Sequence, residues 1–207
     1  MTIPPSTSST RPAAAAAAGA DEFRRAMGRH PAGVVIVTVA GPSGPGGLTV
    51  TSFSSASLDP PLVSFYIGHG SSNWPAIRDA RHFAVNLIGE GHQSLAHRFA
   101  RKGEDRFAPP TRWTRGPEDL PLLSDATTHL ICATESLVTV GDHELVVGLV
   151  VEAAFGHCDR PLLHHQGRFT RAEAGHPEAG RTEAGRPDVV RGDAGRTETC
   201  RQRVSRR

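Results

Sequence analysis

Residues 48–63, LTVTSFSSASLDPPLV, constrain the fold of this chain more than any other stretch. Apolar residues close both ends, while hydroxyls occupy Thr49, Thr51, Ser52, Ser54, Ser55 and Ser57. A buried strand normally fills such positions with Val, Ile or aromatic side chains, because packed bulk stabilises a sheet. β-Branched Thr and Val still favour an extended backbone here, but the side chains offer hydrogen bonds instead of bulk. A strand of this kind either faces water or lines a polar ligand.

The 207 residues suffice for one domain with a proper core, or one domain plus tails. The hydrophobic fraction of 38% is low for a globular domain, and the deficit lies at the ends. Residues 1–20 hold a Ser/Thr/Pro cluster and an alanine run, and the stretch beyond residue 170 repeats Ala, Glu, Gly and Arg with almost no apolar side chain. Neither segment buries enough surface to offset its backbone entropy. The expected organisation is a disordered tail over 1–20, a compact domain over 21–170, and a disordered Arg/Glu/Gly-rich tail over 171–207.

The net charge of +2 belongs to the second tail. Residues 171–207 carry 9 Arg against 6 acids, leaving 14 basic and 15 acidic residues elsewhere. A near-neutral core argues against nucleic-acid binding, which calls for a basic face. Cys132, Cys158 and Cys200 form no CxxC pair and fit reduced thiols in a cytoplasmic protein. No segment approaches the ~20 apolar residues of a membrane span, so no membrane association is expected.

Within the domain, Asp21 is placed to cap a short helix with Phe23, Ala26 and Met27 on one face. The β-branched run 34–39 reads as a buried strand, and the Gly/Pro-rich 41–47 turns the chain into the hydroxyl strand. Further strands are expected at 62–67, 83–88, 129–140 and 144–155, with helices at 74–80 and 92–100 and a long loop at 101–120. Gly141-Asp142-His143 is a hairpin signal. Many strands without βαβ alternation indicate an antiparallel barrel, and no G-x-G-x-x-G supports a Rossmann site.

Three constellations carry possible chemistry. In Gly70-Ser71-Ser72-Asn73-Trp74-Pro75, hydroxyls and free amides precede a helix, which describes either a phosphate seat or an ordinary serine cap. Arg98 and Lys102, the latter the only lysine, would share a face of a helix extended that far, and Phe107 follows. They read as a phosphate counter-charge or as a solvated helix end. His143 beside Asp142 either orients a substrate or decorates a turn. His157, Cys158, His164 and His165 lack convincing metal-ligand spacing, so no metal site is expected. No G-x-S-x-G elbow or Ser/His/Asp set is present.

Taken in order, FRRAMGRHPAGVVIVTV, GLTVTSFSSASLDPPLVSFYI, SSNWPAIRDARHFAVNLI, LAHRFARKGEDRF, GDHELVVGLV and PLLHHQGRF closely resemble the flavin reductase-like family. These are short-chain FMN-binding split barrels that act as NAD(P)H:flavin oxidoreductases. The similarity spans residues 23–169. It implies a mainly β fold, a six-stranded antiparallel Greek-key split β-barrel with a few short helices, pairing as a homodimer with flavin near the interface. It further implies NAD(P)H-dependent reduction of FMN or FAD, with NADH or NADPH as hydride donor and a separate flavin-dependent monooxygenase as partner.

Mapped by motif, the resemblance implies flavin-ring contacts from Thr49, Val50, Thr51, Ser52, Phe53 and Ser54. Ser55 and Ser57 would approach the ribityl chain, and Ser71, Ser72 and Trp74 the phosphate. Lys102 would be the counter-charge and Phe107 a neighbour of the ring system. His143 and Arg168 are the implied nicotinamide-nucleotide contacts, with His143 the catalytic candidate. Ala32, Thr51 and Phe169 stand where many members carry Thr, Asn and Tyr. Two other activities suit the same fold: flavin binding without nicotinamide turnover, and an oxygenase with tightly bound FMN.

Overall fold

The computed structural model describes residues 17–156 and 160–172. The rest of both expected tails, with His157, Cys158 and Cys200, lies outside the described residues. The chain runs α1 (Ala20–Met27), β1 (Ala32–Gly33), β2 (Val35–Gly41), β3 (Gly44–Val50), β4 (Ser54–Ser57) and β5 (Leu62–Gly68). It continues through α2 (Trp74–Asp79), β6 (His82–Ile88), α3 (Gln93–Ala100), β7 (Trp113–Arg115) and β8 (Pro121–Leu123). The long hairpin β9 (Ala126–Val140) and β10 (His143–Phe155) follows, then β11 (Leu162–His165) and β12 (Arg168–Arg171).

The main sheet has the order β3-β2-β6-β9-β10-β5-β4, and every pairing in it is antiparallel. Six strands thus carry the sheet, and short β4 is added at one edge. A smaller sheet, β1-β11-β12, and the pair β7-β8 lie beside it. Val50 from one end of the order and Val63 and Phe65 from near the other belong to one apolar cluster, so the sheet curls around a shared core. The mainly β split barrel is therefore the architecture observed.

Strand β2 shows why the barrel holds. Val35, Val37 and Val39 enter the central cluster, while Val34 and Ile36 enter a second one with Leu95, Phe99 and Leu162. A strand covered on both faces has no polar alternation, which accounts for its continuous β-branched run. In the central cluster Phe65 and Phe83 meet edge to face at 5.5 Å. Such a pair adds about 0.5–1.5 kcal/mol beyond its buried area.

The local expectations meet several refinements. Gly44–Gly47 are already strand, so the hairpin turn is only Pro42-Ser43. Asp21 sits in the first turn of α1, where it bonds Arg24 at 2.8 Å, and Gly19 holds the cap position. The apolar face of α1 exists, but Phe23 and Met27 remain exposed. Helix α3 stops at Ala100 and Arg101 is extended, so Lys102 shares no helix face with Arg98. The expected loop 101–120 contains β7 and a 3-10 turn, because Trp113 packs against the second cluster and pulls the chain into a strand. His143 starts β10 rather than forming the turn, which Gly141 makes at φ +64°.

Candidate functional site

The hydroxyl segment is not one strand. It ends as β3 at Val50, leaves the sheet for residues 51–53, and resumes as β4 at the opposite edge. The polar run therefore bridges the split in the barrel, and the amides of residues 51–53 stand outside the strand ladders. Phe53 still packs on the central cluster and pins this crossing. Ser52 Oγ accepts the amide of Tyr66 at 2.9 Å, a side-chain substitute for a ladder bond.

Strand β5 organises what lies around this crossing. Ser54 pairs with Ser64 on one side, and Gly68 pairs with His143 on the other. Because directly opposed residues share a face, three lateral rows form on the outer surface. They are Ser54/Ser64/Val147/Ser136, Tyr66/Leu145/Val138 and Gly68/His143/Val140. The alternate positions Phe65, Ile67 and Val146 face the core. Tyr66, Val138 and Val140 are 41%, 47% and 47% exposed, so the outer face is apolar as well as hydroxylated.

His143 lies over Gly68, where an added Cβ would sit 3.4 Å from Nε2. Its Nδ1 is 2.7 Å from the Asp142 carboxylate, which only accepts, so this nitrogen carries the hydrogen, while Nε2 is the ring atom nearest the Cβ position of Gly68. The hydrogen bond from His143 also holds the Asp142 carboxyl below the usual carboxylate range. Beyond β5, Ser71 N bonds Gly68 O at 2.9 Å, and Ser71 Oγ accepts the amide of Asn73 at 3.3 Å. Asn73 does not cap α2 with its side chain. Its Oδ1 accepts Gly47 N at 3.1 Å and ties the Ser71–Trp74 turn to β3. Ser72 is exposed and Trp74 half-buried against the core.

The remaining candidates gather around α3. Thr49 Oγ1 donates to Ala96 O at 2.6 Å, so its hydroxyl anchors β3 to that helix. Phe107 packs between Phe99 and Trp113 with edge-to-face centroids at 5.2 and 5.5 Å. Lys102 is exposed before Gly103, whose φ is +78°. Arg168 lines an open depression of 520 Å³ with His165, Gln166, Phe169 and Thr170. Ser52, Ser54, Ser71, Ser72, Trp74 and His143 thus attach to β5 and its neighbours. Thr49 and Phe107 instead contact α3, Lys102 follows its end, and Arg168 adjoins Phe169, whose ring meets His97 of α3 at 4.6 Å. Val50 is core, while Thr51 and Ser55 are exposed and Ser57 is half-buried.

Sequence reasoning passed over Tyr66, Val138 and Val140. The signal for them is the two-residue alternation of β5 and β9 once register with β10 is known. It also passed over His69 and Glu144, which meet at 2.9 Å. Among the described residues no group of three or more His, Cys, Asp or Glu is arranged to hold a metal ion.

A flavin asks for apolar surface against its ring, donors at its carbonyl edge and donors at its phosphate. The outer face supplies the first through Tyr66, Val138 and Val140. The amides of residues 51–53 and the hydroxyl of Ser54 suit the second, and Ser71 and Ser72 the third. The donor set fits.

Such a split barrel with a polar crossing defines a class, and residues 27–173 match the flavin reductase like domain family. The chain belongs to that family. It is 42% identical over 156 residues to an NADH:FMN oxidoreductase of Rhodococcus qingshengii, covering 73% of this chain and 81% of the relative. It is 36% identical over 151 residues to the reductase subunit HsaB of a flavin-dependent monooxygenase of Rhodococcus jostii, covering 73% and 77%. The crystal structure of a flavin reductase domain protein from Arthrobacter superposes with a TM-score of 0.72 at 36% identity, over 76% of this chain and 98% of that one.

Proposed function

We propose that this chain is an NAD(P)H-dependent flavin reductase that supplies reduced FMN or FAD to a separate monooxygenase. The observation that carries the reading is the outer face of β4, β5, β10 and β9. There hydroxyls, His143 and half-exposed apolar side chains fall in adjacent rows, on a chain of the flavin reductase like family. The names of relatives support the same chemistry: one reduces FMN with NADH, and another is a monooxygenase reductase subunit.

Flavin held there would supply the hydride acceptor for the nicotinamide. The chain's own contribution is position and electrostatics. Residues 51–53 and Ser54 hold the ring edge by amides and hydroxyl, with Thr49 and Val50 fixing where that crossing begins. Ser55 and Ser57 follow the ribityl chain. Ser71, Ser72 and Trp74 receive the phosphate, and Lys102 adds counter-charge. His143 and Arg168 orient the nicotinamide nucleotide, and Phe107 walls the ring side through the α3 cluster.

The two groups of candidate residues motivate a homodimer, in which the α3 side of one protomer completes the β5 side of its partner. Exposed Val151 and Phe155, outside the rows that face the ring, supply apolar area for such pairing. One catalytic domain over residues 21–170 carries the activity, with tails on either side. Free, buried Cys132 accords with a cytoplasmic setting, and no helix among the described residues is long and apolar enough to cross a membrane.

Steady-state oxidation of NADH and NADPH, each crossed with FMN and FAD, tests the reading. Turnover with at least one pair is the expected result. Flavin retained through gel filtration with no oxidation of either nicotinamide would reject the reductase and leave a flavin-binding protein.

A further inference from the structure

The start of β10 and the end of β5 clasp each other through both of their faces. On the outer face the His143 ring covers Gly68. On the inner face Glu144, only 8% exposed, accepts a hydrogen bond from His69 Nε2 at 2.9 Å. Thr139 Oγ1 reaches both carboxylate oxygens, at 3.1 and 3.2 Å. The backbone adds His69 N to Asp142 O at 3.1 Å. A carboxylate taken out of water costs several kcal/mol unless it is paired and hydrogen-bonded. A matched apolar pair in the places of Glu144 and His69 would serve packing as well or better. The carboxylate at the barrel end therefore calls for another explanation.

That explanation lies in what the contact joins. His69 begins the turn that carries Ser71, Ser72 and Trp74, and its ring centroid is 6.0 Å from that of Trp74. Glu144 follows His143 directly. We infer that Glu144, acting through His69 and Thr139, is a positioning residue that sets the Ser71–Trp74 turn and His143 as one unit. Flavin and nicotinamide contacts are then fixed together. The inference rests on the placement of the phosphate contacts and His143 in the proposed reductase site. Glu144 does not touch His143 itself, whose ring nitrogen meets Asp142. It acts on the backbone that carries both groups, and supporting hydrogen bonds of this kind hold contacting residues within the tolerance that binding demands.

The test separates stability from positioning. Removing both partners leaves no buried polar group unsatisfied, because the Glu144 side chain is buried while that of His69 is 41% exposed, whereas removing His69 alone strands the buried carboxylate. The double variant His69→Leu/Glu144→Leu is therefore expected to melt at or above the wild-type temperature. Its Kd for FMN, read by flavin fluorescence, and its KM for NADH should each rise about tenfold, with kcat at saturation changed by less than about twofold. Glu144→Gln keeps one acceptor oxygen for His69 and offers an NH2 that donates to Thr139 Oγ1, so it should recover most of both affinities. A double variant that binds FMN and NADH like the wild type overturns the inference, and so does a Glu144→Gln variant as impaired as the double one. Wild-type protein that binds FMN without oxidising NADH would reject the reductase alone, since the Kd comparison still decides the positioning role.

Discussion

Ser52 and Tyr66 are joined where a strand pairing is missing: the serine hydroxyl accepts the tyrosine amide at 2.9 Å. The β4–β5 ladder runs through Ser54 and Ser64, and its next rung outward would pair residue 52 with residue 66. A side chain makes that rung instead. The backbone of residues 51–53 is thereby left out of the ladder, across the opening of the barrel. One hydroxyl both closes the sheet edge and frees the adjacent amides.

Ser52→Ala is expected to weaken FMN binding severalfold while costing under about 1 kcal/mol of stability, because the exposed Tyr66 amide regains water. Fluorescence titration and a urea melt of the same sample check the two halves. A large loss of stability with unchanged FMN affinity would show the hydroxyl to be purely structural.

Gly148 occupies β10 under the Phe83 ring. A Cβ there would lie 2.4 Å from Phe83 Cζ and 3.1 Å from Cys132 Cβ. Gly148→Ala should therefore destabilise the fold by about 1–3 kcal/mol, the usual cost of overpacking. The measurement is the urea midpoint, and paired Gly148→Ala/Phe83→Leu should recover part of the loss.

Asn86 is fully buried and serves three strands at once. Its Nδ2 donates to Ile36 O and Thr38 Oγ1 at 3.0 and 3.1 Å, and its Oδ1 accepts Leu123 N at 2.9 Å. Thr38 in turn donates to Pro121 O at 2.6 Å. Asn86→Ala strands these groups without water and should cost about 2–4 kcal/mol by chemical denaturation. Asn86→Asp should cost more, since it adds a buried charge facing the Ile36 carbonyl.

Burial pushes the Cys132 thiol up to about 12 from an ordinary 9.0. The unfolded chain gives up this proton first, so it binds fewer protons than the folded one across that window. Stability contributed by the thiol is thus full below about pH 9 and falls as pH rises toward 12. Cys132→Ala should flatten the alkaline limb of the stability curve. In mildly alkaline buffer, thiol reagents should label Cys132 only as urea unfolds the domain.

The fold was largely legible in the chain. The β-branched run 34–39 gave β2, the apolar segments gave β5, β6, β9 and β10, and Leu95 with Phe99 gave the buried face of α3. Strand propensity and periodicity are local, so they survive without tertiary knowledge. What escaped was set by distant partners. Trp113 reads as loop in sequence and becomes strand because Phe107 and the second cluster receive it. Lys102 lost its helix because the chain turns out at Arg101, a choice no i, i+4 spacing records.

For the site, the sequence by itself determined which chemistry was on offer: hydroxyls in the 48–63 run, amides before Trp74, and a histidine beside Asp142. Tertiary structure alone decided where these meet. It broke the hydroxyl run at Val50 and carried it from one edge of the sheet to the other. It laid His143 over Gly68 and buried Glu144 against His69. The physical reason is register: a strand's side chains alternate faces at every residue. Which of them share a surface is therefore fixed only when the neighbouring strand has been docked.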